Sequence, residues 1–336
     1  MLLEYTQKIL TKTNLSFSEA QSALNDILDG KCGEVEIAGL LTALAAKGET
    51  AEEMAGMARA MRDHAVPVRP QARPLVDLVG TGGDGQATFN ISTTAAIVAA
   101  GAGVAMAKHG NRAITSKCGS ADLLAALGVK IDAAPEVIEQ CIDQAHIGFM
   151  FAPSHHPTMK YVQPIRKALG FRTAFNVLGP LANPANVPLQ IIGVAKSYLL
   201  PVMAEALKLL GVSRAMVVHG EGMDEFTTCG PTDMMELRDR QITRHTVDYS
   251  DYGLAKADLK ELAGGSLEKN VAITRDIIEN KKTGPCRDIV LLNAAAAIMI
   301  SGQAPGFAEG IRKANESIDS GQAARTLEKL VEISNS

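Results

Sequence analysis

A chain of 336 residues with 46% apolar residues can bury one large core or two ordinary ones, which excludes a disordered chain. Its formal net charge of −4 argues against a general nucleic-acid binder, which would present a strongly basic face. The five cysteines, Cys32, Cys118, Cys141, Cys229 and Cys286, show no C-x-x-C spacing, so a structural zinc site is disfavoured and reduced thiols in the cytosol are expected.

Residues 1 to about 70 carry helix punctuation without a strand signal. Leu3 to Leu10 predicts a short first helix, and Glu4 and Lys8 within it break the apolar core that a signal peptide needs. Ser18 with Gln21 reads as a capping box opening a second helix that ends near Gly30. Glu34 to Lys47, closed by Gly48, predicts a third, and Thr50 with Glu53 opens a fourth that stops before Pro67. Ile37, Leu40, Leu41 and Leu44, then Met54, Met57 and Met61, recur at helical spacing, the methionines as packing or interface residues.

From about residue 73 strands alternate with helices, the signature of a mostly parallel α/β sheet. Expected strands are Leu75–Val79, Val104–Ala107, Gly148–Phe151, Leu189–Val194 and Ala215–Val218. Expected helices are Thr93–Ala100, Ala121–Leu127, Pro135–Gln144 and Leu200–Leu210. The apolar run Ala95 to Ala107 is too short and glycine-rich to span a bilayer, so a soluble cytoplasmic protein is expected. Residues 153–188 are punctuated by proline and glycine and read as a hinge, its 160–188 part returning to complete the helical unit. Met234–Leu237 with Ile242–Thr243 suggests a small hairpin, and Leu267–Asn280, Asp288–Ile300 and the remainder look helical. The expected organisation is a helical domain over 1–70 and an α/β domain over 73–336.

Ligands of such sheets gather outside the carboxyl ends of the strands, which places Gly80, Lys108, Ala152 and His219 around one crevice. Four of the six residues from Gly80 to Gly85 are glycine, between a strand and a helix. Glycine admits an anion close to backbone N–H groups, and the helix N-terminus adds a favourable dipole. The same residues also suit a tight strand-to-helix turn capped by serine and threonine. The next strand brings Lys108, His109, Asn111, Arg112, Ser116, Lys117 and Ser120, donors for a highly anionic ligand, which favours the cradle. Asp224 and Glu225 are adjacent carboxylates on a glycine-flanked loop, either a solvated acidic turn or a pair that holds magnesium beside phosphate oxygens. No Walker A loop, G-x-S-x-G elbow or H-E-x-x-H helix occurs, and Thr81-Gly-Gly-Asp-Gly breaks the dinucleotide register.

Gly80-Thr-Gly-Gly-Asp, Thr88-Phe-Asn-Ile-Ser-Thr, Lys108-His-Gly-Asn-Arg, Ser116-Lys-Cys-Gly-Ser-Ala-Asp, His156-Pro, Arg172-Thr-Ala-Phe-Asn-Val-Leu-Gly-Pro-Leu-Ala-Asn-Pro and His219-Gly-Glu-Gly-Met-Asp-Glu come in one order. In this the chain resembles the anthranilate phosphoribosyltransferases of tryptophan biosynthesis, from the N-terminal helices to Asn293-Ala-Ala-Ala-Ala. The resemblance implies a nucleoside-phosphorylase/phosphoribosyltransferase-like fold and a homodimer. It also implies transfer of phosphoribose from phosphoribosyl pyrophosphate to the amine of anthranilate with Mg2+. It puts Gly80, Gly82, Gly83, Asp84, Thr88, Asn90, Ile91, Ser92, Thr93, the loop from Lys108 to Ser116 and Ser120 around phosphoribosyl pyrophosphate. Ser92, Asp224 and Glu225 match magnesium positions, and Gly80, Asn111 and Arg166 match anthranilate contacts. Lys108, His109 and Arg166 are the implied catalytic set, His109 as proton acceptor or positioning group. Cys118 stands where serine is common, and Thr158 interrupts the usual His-Pro-Ala-Met. The competing readings are a pyrimidine nucleoside phosphorylase, which has no need of the acidic pair, and a nucleic-acid-binding relative, which needs a basic surface.

Overall fold

The first four helices are set by their caps. In this computed structural model, which describes residues 2–113 and 117–336, they are α1 (Leu2–Leu10), α2 (Phe17–Leu28), α3 (Glu34–Lys47) and α4 (Ala51–Asp63). Thr50 caps α4: its hydroxyl accepts from the Glu53 N–H at 3.3 Å, and the Glu53 carboxylate accepts from the Thr50 N–H at 2.8 Å. The box expected at Ser18 and Gln21 lies two residues earlier, where the Ser16 N–H donates to Glu19 Oε2 at 2.8 Å. A carboxylate suits the positive end of a helix better than an amide, and Lys8 holds Glu19 at 2.7 Å. Met54, Met57 and Met61 are buried in the core, so that face of α4 is packing.

The α/β part begins with β1 (Leu75–Gly80), α5 (Ile91–Gly101), β2 (Ala105–Gly110), α6 (Ser120–Ala126), α7 (Pro135–Ala145) and β3 (Ile147–Phe151). The punctuated stretch holds three short α-helices, α8 (Ala152–His155), α9 (Gln163–Leu169) and α10 (Phe175–Leu178), and two 3-10 turns. Then come β4 (Leu189–Gly193), α11 (Leu199–Leu209), β5 (Arg214–Gly220), β6 (Thr232–Arg238) and β7 (Gln241–Val247). Four helices follow, α12 (Leu267–Ile278), α13 (Pro285–Ile300), α14 (Phe307–Asp319) and α15 (Gln322–Ser334). The expected hairpin is longer than its apolar residues suggested, and through β5 it extends the main sheet.

Among the described residues the sheet has seven strands in the order β3-β2-β1-β4-β5-β6-β7, parallel through β5 and antiparallel at the last two pairings. Its neighbouring residues divide between faces, as the two-residue strand period requires. Ile191 and Met216 join one apolar cluster with α5 and α13, while Ile192 and Val217 join a second with α2–α4 and α11. Strand order reverses between β1 and β4, so a crevice opens at their carboxyl ends. No helix among the described residues is long and apolar enough to cross a membrane.

Candidate active site

Gly80 ends β1 and is paired in register with Gly193, which ends β4. The loop after β5 folds back over both: a β-carbon on Gly80 would overlap Asp224 Oδ2, and one on Gly193 would overlap the Asp224 carbonyl oxygen. Only two glycines side by side let an acidic loop lie on the end of the sheet. Gly193 was not singled out in the sequence, where it is the end of an apolar strand; its need arises from a neighbour distant along the chain. The Gly82 N–H donates to Asp224 Oδ2 at 2.6 Å, and Gly82 and Gly83 take φ of +70° and +72°, a region glycine enters without strain.

Glu225 is buried, and its Oε1 accepts from the Ser92 N–H, in the first turn of α5, at 3.1 Å. A carboxylate there faces the positive end of the helix dipole. Burial, then the charge of Asp84, pushes the Asp224 acid well above the usual carboxylate range. Burial, then the charge of Asp224, does the same to Glu225. Lys108 of β2 is buried, and its Nζ donates to the Leu78 carbonyl of β1 at 2.7 Å. Burial pushes the pKa of Lys108 down, against the pull of Asp77 and Glu225.

The other expected residues are spread over several elements. Ile91 and Thr93 are buried in the first turn of α5, while Asn90 Nδ2 donates to the Cys118 carbonyl at 3.1 Å and Thr88 bridges to Ala263. After β2, Ser120 Oγ donates to the Asn111 carbonyl at 3.3 Å, and Ser116 lies outside the described residues. His109 is buried, with Nδ1 3.2 Å from the Gly179 carbonyl and its ring 5.2 Å from that of His156. Burial, then His156, holds His109 neutral, and its Nε2 has no partner among the described residues. Arg166 stands on α9 with its guanidinium 5.5 Å from the centre of the Phe175 ring, without an ion pair among the described residues. His219, at the end of β5, is tied through Nδ1 to the Val194 carbonyl at 2.8 Å, and Ala152 opens α8.

No three His, Cys, Asp or Glu side chains among the described residues are gathered closely enough to hold a metal by themselves. The donor chemistry nevertheless fits magnesium. Asp224 and Glu225 offer hard oxygens whose joint ionisation is opposed by burial and mutual repulsion, so a cation that brings further oxygen ligands would relieve both.

The helical bundle domain of the glycosyl transferase family matches residues 3–65, and the a/b domain of that family matches residues 72–324. The anthranilate phosphoribosyltransferase of Methanocorpusculum labreanum is 50% identical over 335 residues, 99% of this chain and 98% of that protein. Among solved structures, the anthranilate phosphoribosyltransferase of Thermus thermophilus superposes with a TM-score of 0.94 at 43% identity, covering 98% of this chain and 99% of that one. That of Saccharomyces cerevisiae, solved in complex with PRPP and Mg, gives 0.91 at 34% identity, covering 99% of this chain and 98% of that one. Near-complete coverage in both directions carries the likeness through the helical unit, the switch point and the acidic loop alike, and the chain belongs to the anthranilate phosphoribosyltransferase family.

Proposed function

We propose that this chain transfers the phosphoribosyl group of phosphoribosyl pyrophosphate to the amine of anthranilate, giving N-(5-phosphoribosyl)anthranilate and pyrophosphate, as a cytoplasmic homodimer. The reading rests on the meeting of the glycine loop, the α5 N-terminus and Asp224-Glu225 at the switch point between β1 and β4. Loop N–H groups and the helix end are suited to a pyrophosphate that gains charge as the C1–O bond breaks. We assign Ser92, Asp224 and Glu225 to magnesium, which when bound supplies positive charge against the oxygens of the leaving group.

The ribose becomes oxocarbenium-like as pyrophosphate departs, so a weakly basic aromatic amine suffices as nucleophile and no strong base is required. Arg166 is assigned to the anthranilate carboxylate, with Asn111 and Gly80 beside it. His109, neutral and with a buried Nε2 that has no partner among the described residues, is assigned to receive the amine proton or to position the amine. Closure of the helical unit, residues 1–70 completed by 160–188, over the α/β domain of 73–336 would keep out water, the competing nucleophile.

The test follows anthranilate fluorescence as chain, phosphoribosyl pyrophosphate and magnesium are mixed. Signal loss that needs all components and stops with EDTA is expected; a constant signal with everything present overturns the reading. Replacing Asp224 and Glu225 together by Asn and Gln is expected to remove magnesium dependence with most activity. A magnesium titration that stayed as in the wild type would move the metal elsewhere.

A further inference from the structure

Arg172 is exposed, and neither the sequence motifs nor the assignments above give it a role. It reaches from the connecting stretch to the glycine loop, where Nη1 donates to the Gly83 carbonyl at 3.0 Å and Nη2 to the Gly82 carbonyl at 3.4 Å. The guanidinium lies against Gly83 itself: a β-carbon there would be 2.8 Å from Nη1 and 3.0 Å from Nη2.

In a trans peptide the carbonyl and the following N–H point to opposite sides. Holding the carbonyls of Gly82 and Gly83 on Arg172 therefore turns the N–H groups of Gly83 and Asp84 to the other side of the loop. Neither N–H has a hydrogen-bond partner among the described residues, whereas the Gly82 N–H is taken by Asp224. Successive N–H groups turned one way make an anion-binding concavity. A planar fork spans two adjacent carbonyls in a fixed geometry; the point charge of a lysine does not.

We propose that Arg172 is a positioning residue for the pyrophosphate end of the substrate, setting the Gly83 and Asp84 N–H groups by gripping the carbonyls behind them; this rests on the phosphoribosyl pyrophosphate reading above. Arg172 acts through the loop and not as a charge on the ligand, which separates it from Arg166.

The experiment compares wild type, Arg172→Ala and Arg172→Lys at one magnesium concentration. Inorganic pyrophosphate binding is measured by calorimetry, and the Michaelis constants of both substrates by fluorescence. Both variants are expected to melt as the wild type does, since the side chain is exposed. Both are expected to weaken pyrophosphate binding and raise the constant for phosphoribosyl pyrophosphate about tenfold, with that for anthranilate within about twofold. Wild-type affinity in Arg172→Lys overturns the proposal, because charge alone then suffices; so does an unaffected Arg172→Ala, or an equal rise for both substrates. A wild type that binds pyrophosphate but leaves anthranilate untouched overturns the functional reading, while weakened variants still uphold the role of Arg172. A wild type that binds no pyrophosphate overturns the proposal for the loop.

Discussion

Arg166 is a half-buried cation whose surroundings contain an aromatic ring and no ion-pair partner among the described residues, and burial lowers its pKa. A guanidinium in that position is stabilised by whatever carboxylate arrives, through a fork geometry that matches it. Arg166→Ala is therefore expected to raise the Michaelis constant for anthranilate by about tenfold or more, with that for phosphoribosyl pyrophosphate nearly unchanged. Steady-state kinetics with each substrate varied in turn checks this, and equal loss for both would remove Arg166 from the anthranilate end. Asp224 and Glu225 were legible in the sequence because two adjacent acids on a glycine-flanked loop already pose a question of charge. Gly193 and Arg172 were not, because each matters only through a partner brought near by the sheet: the acidic loop after β5 for one, the glycine loop after β1 for the other.

Limits set by local chemistry were read closely for α3 and α4 and two residues late for α2, and those set by neighbours were missed. The Thr50 box and Gly48 mark helix ends by hydrogen bonding within a few residues, so α3 ends and α4 begins where the sequence places them. β2 runs on to Gly110, past the expected end at Ala107, because pairing with β3 continues through Lys108 and His109, whose polarity suggested a loop. A similar neighbour effect governs Gly56 inside α4. Glycine costs a helix interior about 1 kcal/mol relative to alanine, so propensity favours Gly56→Ala. Against that, a β-carbon would overlap the Phe17 carbonyl oxygen and come within 3.0 Å of Ala20 Cβ, and backbone at the start of α2 has no rotamer to yield. Overpacking of this kind costs about 1–3 kcal/mol and is expected to win. Urea unfolding of Gly56→Ala should give a lower midpoint; a higher one would mean that α2 and α4 separate without loss.

At the scale of the whole molecule, helices α1–α4 do not own their core. Their apolar cluster includes Ile165 of α9, Phe175 and Leu178 of α10, Leu200, Met203 and Leu207 of α11, and Ile192 and Val217 of the sheet. The turn after α10 ties the two sides together: Arg62 Nε donates to the Leu181 carbonyl at 2.7 Å from α4, and Gln190 Nε2 to the Pro180 carbonyl at 3.1 Å from β4. Asn183 Nδ2 donates to Asp77 Oδ2 at 2.8 Å and to the Ala107 carbonyl at 2.9 Å, reaching β1 and β2. Asp77 is buried, and burial pushes its acid up to about 6 although Lys108 and Asn183 pull it down. A fragment of residues 1–70 would lose the apolar partners from α9–α11 and the sheet, and the Leu181 carbonyl, and would expose the faces they cover. Domains of about 60 residues bury too little surface to tolerate such a loss. We expect residues 1–70 expressed alone to show no cooperative melting transition by circular dichroism, while the intact chain does. A fragment that melted cooperatively with native helix content would instead make residues 1–70 a self-supporting body, and would move the hinge to residues 64–74.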